Sequence, residues 1–242
     1  MARSFDCVDF KLAEADFFLE KMRSCGASIW ELNFYFSAFV SAARSITFAM
    51  QAVMNDQAGF AEWYTKKQRE MKADPVCSFF VTYRNEVLKT GDLPITSGFA
   101  VRSKDGAGKV DVKHRFSRSI SSGNKIPPVG RIEFIRAIMS GTDEALDEPD
   151  VMTYCCEYMR KVAGLVACCY KDFGPVIDPD QHYTLENLRR INKSVEDVEQ
   201  ELGLPPGFTD IGKHDDEERL RVLRTHIPRS NIKHLFEKYC PK

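Results

Sequence analysis

The stretch from Leu32 to Met54 limits the fold more than any other part of the sequence. Apolar side chains recur through it at helical spacing, and Arg44 is its single charged residue. A helix with so few charges is expected to be enclosed on most sides, because its apolar side chains need cover around much of the circumference. The sequence therefore predicts a helix here that forms the central pillar of a helical core.

Three more helices are predicted around this pillar. The first ends at Cys25-Gly26, and the third runs from Phe60 to Ala73. The fourth begins at Asp74-Pro75, since Asp can cap a helix and Pro is tolerated in the first turn, and it ends at Thr90-Gly91. The apolar residues of the first helix form two neighbouring stripes: Phe10, Ala13 and Phe17 in one, and Leu12, Leu19 and Met22 in the other.

After Ile95 the sequence changes from helical to strand-like patterning. Two short runs, 96–103 and 110–117, flank an Asp-Gly pair at 105–106 that is typical of a hairpin turn. Between Arg102 and Arg136 there are nine Lys or Arg residues against three acids, and an acidic segment follows at 143–150. We therefore expect a basic β-hairpin.

The C-terminal part is predicted to be helical again. A long helix over 149–173 should end at Gly174-Pro175, and a short one is expected over 184–202. The Gly- and Pro-rich stretch 203–207 then predicts a linker. Two helices follow, near 215–226 and 229–239, with Ser230 as the expected cap of the last one. The linker would let them leave the main bundle as a docking arm.

Charge and cysteine content exclude several classes of protein. The 34 basic and 35 acidic residues nearly cancel, so no overall field points to a nucleic acid or a membrane. The pairs Cys155-Cys156 and Cys168-Cys169 lie in an apolar helical pattern without a C-x-x-C clip, and we interpret them as buried hydrophobes. Neither a signal peptide nor an uninterrupted membrane-spanning apolar run is evident. We expect a cytoplasmic protein with no metal, no cofactor and no membrane partner.

One stretch suggests a family. Residues 74–89, together with Ser41 to Phe48 in the pillar helix and Trp63-Tyr64, resemble small bacterial four-helix proteins of the HEPN superfamily. In that superfamily an Arg-Asn pair near the end of a helix is followed, after four to six residues, by a histidine. The resemblance covers roughly residues 8–94.

The sequence and this resemblance together predict a mainly α fold. We expect an HEPN-like up-down helical bundle with an inserted β-hairpin and additional C-terminal helices. The predicted boundaries are 1–94 for the bundle, 95–140 for the basic hairpin insertion, 141–202 for the helices that complete the bundle, and 203–242 for the linker and C-terminal helical arm.

The resemblance also implies site residues. It places the catalytic or RNA-contacting pair at Arg84 and Asn85, whereas Lys89 stands where the family has its histidine. In ribonucleases of that family the pair positions the scissile phosphate, and imidazole suits the proton transfer because it titrates near neutrality. Lysine has an ordinary pKa of about 10.4 and binds phosphate without shuttling protons. The family further implies a homodimer in which the two sets of residues face each other across a cleft.

Each candidate site has a structural alternative. Arg84 could cap backbone carbonyls or pair with Glu86 or another acid of the bundle, and Asn85 could fix the turn after the helix. The basic hairpin is a second candidate for RNA contact, since Lys and Arg neutralise phosphates irrespective of sequence, although such charges also form ordinary solvated strand edges. Its candidate residues are Arg102, Lys109, Lys113, Arg115 and Arg118.

These observations predict an RNA-associated, HEPN-like, dimeric protein without typical ribonuclease activity. The alternative is a non-catalytic protein-interaction or neutralising subunit of a bacterial defence or mobile-element system. A transferase or hydrolase also stays open, because catalytic groups that lie far apart in a sequence leave no local motif.

Overall fold

The computed structural model describes residues 4–25, 28–90, 95–102, 110–116, 151–210, 215–225, 227 and 232–241, and within them the protein is mainly α-helical. Its elements are α1 (Asp6–Ser24), α2 (Ile29–Met54), α3 (Phe60–Ala73), α4 (Pro75–Thr90), β1 (Ile95–Arg102), β2 (Val110–Phe116), α5 (Val151–Ile177), α6 (Pro179–His182), α7 (Leu185–Arg190), α8 (Val195–Glu201), α9 (Asp216–Thr225) and α10 (Lys233–Tyr239). No helix among these residues is long and apolar enough to cross a membrane.

Helices α2 and α5 are the two central elements. Ser28 caps α2 by accepting a hydrogen bond from the backbone N–H of Glu31, as expected for a Ser before a first helical turn. Helix α5 runs antiparallel to α1, because its C-terminal Tyr170 contacts Phe5 and its N-terminal Cys156 contacts Arg23. The core therefore needs α5 as much as it needs the four N-terminal helices.

An aromatic cluster joins α2, α4, α5 and β2. The rings of Phe80 on α4 and Tyr158 on α5 stack with centroids 4.4 Å apart and planes 9° from parallel. Phe36 of α2 packs edge-on against Tyr83 of α4 and Phe116 of β2, with centroids 5.2 and 5.5 Å away. Such pairs add about 1 kcal/mol each to the free energy gained by burying the rings.

The start of α4 is as the sequence predicts. The Oδ1 atom of Asp74 accepts hydrogen bonds from the N–H groups of Val76 and Cys77, both at 3.0 Å, and Pro75 is the first helical residue. The same carboxylate forms a 2.8 Å ion pair with Lys161 of α5. The cap thus fixes both the first turn of α4 and its position against α5.

The two strands pair in antiparallel fashion, with Gly98 opposite His114 and an irregularity between Ile95 and Ser97. Residues 103–109, where the sequence predicts the hairpin turn, lie outside the described residues. Asn33 of α2 holds the start of β1: its Nδ2 donates to the Ile95 carbonyl at 2.8 Å, and its Oδ1 accepts from the Ile95 N–H at 2.9 Å. The buried side-chain amide of Asn33 thus makes the two backbone hydrogen bonds that a neighbouring strand would make.

The C-terminal helices belong to two packed clusters. Helix α10 lies on the main core through Leu235 and Tyr239, and the Tyr239 hydroxyl donates to Asp16 of α1. Helices α7, α8 and α9 form a smaller second cluster around Leu188, Val198, Leu220 and Leu223. The expected docking arm over 203–242 is therefore absent among the described residues, because both of its helices cover apolar surface of the protein.

Three predicted helix boundaries are wrong. Helix α5 passes through Gly174-Pro175 to Ile177. The Pro175 carbonyl would normally accept from residue 179, which is a proline without an N–H, and it accepts instead from His182 and Asn187. The helix predicted over 184–202 is two helices, because Asn192 has a φ of 55° and Ser194 starts α8 with a capping box.

The third boundary concerns the last helix, which begins at Lys233 rather than near 229. Its N-cap is Ile232, which provides no side-chain hydrogen bond. Ser230, the predicted cap, lies outside the described residues.

The predicted stripes of α1 and the enclosure of α2 also need correction. In α1 the buried stripe contains Leu12, Leu19 and Met22, whereas Phe10 and Phe17 are 64% and 53% exposed. The described residues cover α2 on one side only and leave three of its large aromatic side chains exposed. These are Trp30, Phe34 and Phe48.

We predict that Asn33→Leu destabilises the protein by about 3 kcal/mol, because it leaves both backbone groups of Ile95 buried without their partner. Urea unfolding measures the loss, and amide hydrogen exchange at Ile95 should accelerate. The matched control is Asn55→Leu at the exposed end of α2, which should change stability little. Equal effects of the two substitutions would contradict the proposed role of Asn33.

Candidate functional site

The pair Arg84 and Asn85 lies in the second half of α4. Phe79, Phe80 and Tyr83 fix this helix in the aromatic cluster, so the following two residues lie at the edge of the core. Arg84 is half-buried and Asn85 is exposed. The Arg84 Nη1 atom lies 3.4 Å from the Asn85 Oδ1 atom, which is a weak hydrogen bond.

The positive charge of Arg84 has no acidic partner within the described part of the chain. Its buried Nε atom also makes no hydrogen bond there. The described carboxylates therefore give no support to the alternative in which Arg84 pairs with an acid of the bundle. The side chain of Glu86 lies outside the described residues. A guanidinium with unused donors is suited to an anion.

Lys89 occupies the last turn of α4, one helical turn beyond Asn85. Its side chain lies outside the described residues. The predicted joint action of Arg84, Asn85 and Lys89 on one ligand therefore stays a prediction.

The five basic residues of the hairpin region are partly placed. Lys113 and Arg115 are alternate residues of β2, opposite Phe99 and Ser97, so they occupy one face of the ladder. Arg102 is paired with Val110 and occupies the other face. Their side chains, and Lys109 and Arg118 altogether, lie outside the described residues. The strand pairing thus separates Arg102 from the other two.

Two tyrosines and two cysteines near the core do not offer ready catalytic groups. Burial raises the pKa of Tyr83 and of Tyr158 far above neutrality. Burial also raises the pKa of Cys77 and of Cys169 to about 12 in each case. Thiols of this kind stay protonated at neutral pH and are poor nucleophiles.

No cluster of three or more metal-binding side chains occurs in the residues that the structure describes. All eight cysteines are free thiols. Of the paired cysteines of α5, Cys155 and Cys169 are buried as predicted, whereas Cys156 and Cys168 are only half-buried.

A buried ionic network around Glu199 is the other candidate cluster. The Glu199 carboxylate accepts hydrogen bonds from the N–H groups of Gly207 and Thr209 and from the Thr209 hydroxyl. Arg219 of α9 lies 3.3 Å from the same carboxylate and 2.7 Å from Glu196. The network fastens the chain after α8 and explains why the predicted linker is held in place.

The pKa values in this network show opposing effects. Burial alone would raise the pKa of Glu199, but the hydrogen bonds from Thr209 and Gly207 and from Arg219 outweigh it and lower the pKa. Burial would lower the pKa of Arg219, and its contacts with Glu196 and Glu199 raise it instead. Both groups are therefore charged at neutral pH. Every member is partnered, so we interpret the network as structural.

Comparison with known proteins shows a similarity over the N-terminal part of the chain. Residues 8–104 match the family model described as bacteriophage lambda protein ea47. The matched region contains all but the first two residues of α1, together with α2, α3, α4 and β1, and it covers less than half of the chain. No curated protein and no solved structure matches the chain.

One surface feature was missed from the sequence. The exposed face of α2, here called the α2 strip, has aromatic side chains near both ends and small side chains between them. It was hidden by the assumption that a helix with one charge is enclosed. Sorting α2 by helical angle places the members of the strip on one face, but only the packing shows that this face is exposed. The strip contains Trp30, Phe34, Ser37, Ser41, Phe48 and Ala52.

We predict that Arg219→Met destabilises the second cluster by about 3 kcal/mol at neutral pH, because it leaves the Glu199 charge buried without its cation. The lowered pKa of Glu199 means that the charged form stabilises the fold above the ordinary pKa of about 4.3, and that this stabilisation is lost as pH falls. The difference between variant and parent should therefore shrink in acid.

Thermal unfolding across a pH series measures this difference. Arg221→Met on the same helix is the matched control, because Arg221 is exposed and pairs only with Glu218 among the described residues. It should have almost no effect. A loss from Arg219→Met that does not depend on pH would contradict the role assigned to Glu199.

Proposed function

We propose that this protein is an RNA-associated helical protein of HEPN-like type, in which Arg84 and Asn85 contact phosphate and no typical ribonuclease chemistry takes place. The observation that carries the proposal is the Arg84 guanidinium, which lies beside an exposed amide and has no described acidic partner. A half-buried cation of this kind is stabilised by an external anion, and RNA provides a phosphate at every nucleotide.

The residue at position 89 supports binding rather than cleavage. Cleavage through a 2′-hydroxyl requires a group that exchanges a proton near neutral pH, and histidine is the side chain best suited to it. Lysine at this position adds positive charge one turn from Asn85 on the helix. The basic residues of β2 add to the positive charge of the same half of the chain, which favours phosphate contact without sequence specificity.

The test is RNA binding by parent and Arg84→Ala protein, measured by fluorescence anisotropy with labelled transfer RNA at several salt concentrations. We expect Arg84→Ala to weaken binding by roughly tenfold and to reduce the salt dependence by about one released counterion. Lys89→Ala should act in the same direction. A denaturing gel on the same samples should show intact RNA.

Two further variants make the result specific. Arg160→Ala on α5 removes an exposed arginine that pairs with Glu157, and it should bind RNA like the parent. Arg84→Lys keeps the charge but loses the planar donor set, so its binding should be intermediate. If Arg84→Ala and Lys89→Ala both bind like the parent, the RNA proposal is lost. Cleavage that depends on Arg84 would instead show that the chain retains an active site.

The second candidate is a protein-interaction or neutralising subunit of a defence or mobile-element system. Two observations favour it: the exposed aromatic rings of Phe10 and Phe17 on α1, and the similarity of residues 8–104 to a bacteriophage lambda protein. The docking surface would be a face of the main bundle rather than α9 and α10, which are packed. Copurification of a partner at fixed stoichiometry, lost in a Phe10→Ser/Phe17→Ser variant, would support this function over RNA binding.

A further inference from the structure

The α2 strip is a long uncharged surface on a rigid element. Helix α2 has 26 residues, and the described part of the chain leaves its outward face uncovered along this length. Trp30, Phe34 and Phe48 are 65%, 63% and 52% exposed. Exposed rings that are aligned on one helix face, rather than scattered singly, mark a surface that another molecule covers.

The charges around the strip leave its centre free. Arg44 is the sole charged residue between Leu32 and Met54, and it lies at the side of the strip. Its Nη1 atom contacts the Thr47 hydroxyl at 3.2 Å, and its guanidinium lies over the Phe48 ring at 4.7 Å from the centroid. The arginine therefore flattens against its own helix. A strip without charges is unsuited to an RNA backbone and suited to a protein surface.

The positions of the strip residues are spaced symmetrically about Ser41, with Phe34 and Phe48 at equal distances on either side. If two copies of α2 pair in antiparallel fashion with Ser41 at the two-fold axis, residues whose numbers add to 82 lie opposite each other. Phe34 then meets Phe48 of the other copy, and the large Trp30 meets the small Ala52. An isologous interface requires this kind of self-complementary arrangement, in which one patch fits itself.

Small residues at the centre permit close approach of the two helices. Ser37, Ser41 and Ser45 are four residues apart, so they follow one another along the helix. The Ser45 hydroxyl already donates to the Ser41 carbonyl at 2.8 Å. Burying this hydroxyl therefore costs little, because its hydrogen bond is made within the helix.

The exposed area is of the right size for a dimer. The three rings expose on the order of 350 Å² per protomer, given that an aromatic side chain has roughly 200 Å² of surface. Two protomers would thus bury about 700 Å² from aromatic side chains alone, nearly half of a standard interface of about 1,600 Å². The small residues of the strip and its flanks would add to this.

The other exposed aromatic pair is less suited to pairing. Phe10 and Phe17 on α1 each have a lysine over the ring, Lys11 and Lys21. Lys11 in addition forms an ion pair with Glu14 between the two rings. Both rings of α1 therefore have a cation over them, whereas on the α2 strip only Phe48 does, so pairing through α1 would desolvate more charge.

We propose that the α2 strip is the interface of a homodimer in which two α2 helices pair in antiparallel fashion around Ser41. This assembly does not depend on whether the protein binds RNA. The partner is therefore a second copy of this chain.

The first test compares Phe48→Ser with Phe17→Ser by sedimentation equilibrium of the full chain. The two phenylalanines are equally exposed and each lies beside a cation, so the substitutions are matched. Phe48→Ser removes two rings from each dimer and should weaken association by roughly 100-fold. Phe17→Ser should leave it unchanged. A monomeric parent, or a dimer that both variants leave intact, would overturn the proposal.

The second test fixes the register by cysteine crosslinking under mild oxidation. Ser41→Cys places two thiols at the axis, within the Cα separation of roughly 5 to 7 Å that a disulfide requires. Ala52→Cys lies on the same exposed strip, but its two copies would be about 33 Å apart along the paired helices. We expect a covalent dimer from Ser41→Cys above the background of the native cysteines, and none from Ala52→Cys. Equal crosslinking of both would rule out the antiparallel register.

Discussion

The stack of Phe80 on Tyr158 is the contact on which the rest of the structure depends. It joins α4 to α5, and the rings of Phe36 and Phe39 attach α2 to the same pair. The region that matches the bacteriophage lambda protein model ends at residue 104, so it contains α2 and α4 but not α5. Residues 8–104 of this chain therefore bury their aromatic face only when residues 151–177 are folded against them.

The same contact determines where the candidate site lies. Because Phe79, Phe80 and Tyr83 point into the core, the helical repeat leaves Asn85 exposed and Arg84 half-buried at the edge of the core. The core thus holds α4 firmly and leaves the pair free to meet a ligand. Asn33 fixes the start of β1 through two hydrogen bonds to Ile95, and β1 pairs with β2, whose Phe116 packs on Tyr83. The residue that precedes Arg84 is thus held by both α2 and β2, so the candidate pair lies on a firmly packed part of α4.

Much of the helical fold could be predicted from the sequence, and the reasons for the failures are physical. The start of α4 at Asp74-Pro75 follows from the capping side chain of Asp74 and the preference of proline for the first helical turn, so it was predictable. The continuation of α5 past Pro175 was not predictable from local sequence. The Pro175 carbonyl accepts hydrogen bonds from His182 and Asn187, which lie beyond the helix and replace the N–H group that Pro179 lacks. The exposure of Phe10 and Phe17 was also hidden, since periodicity shows which residues share a face but not which face is covered. The candidate residues Arg84 and Asn85 were identified from a family resemblance, whereas the α2 strip could be recognised only from the way in which α2 packs.

Pairing through the α2 strip has a consequence for RNA binding. Arg84 follows Tyr83, which packs on Phe36 of α2, and Phe36 is five residues from the proposed axis at Ser41. In an antiparallel pair the two copies of Phe36 are therefore separated by roughly 15 Å along the helices. The two Arg84 side chains would serve separate phosphates rather than face each other across one cleft, which differs from the arrangement that the HEPN resemblance implies. Two independent phosphate contacts per dimer can hold RNA, but they cannot combine on one scissile bond, so this geometry favours binding without cleavage.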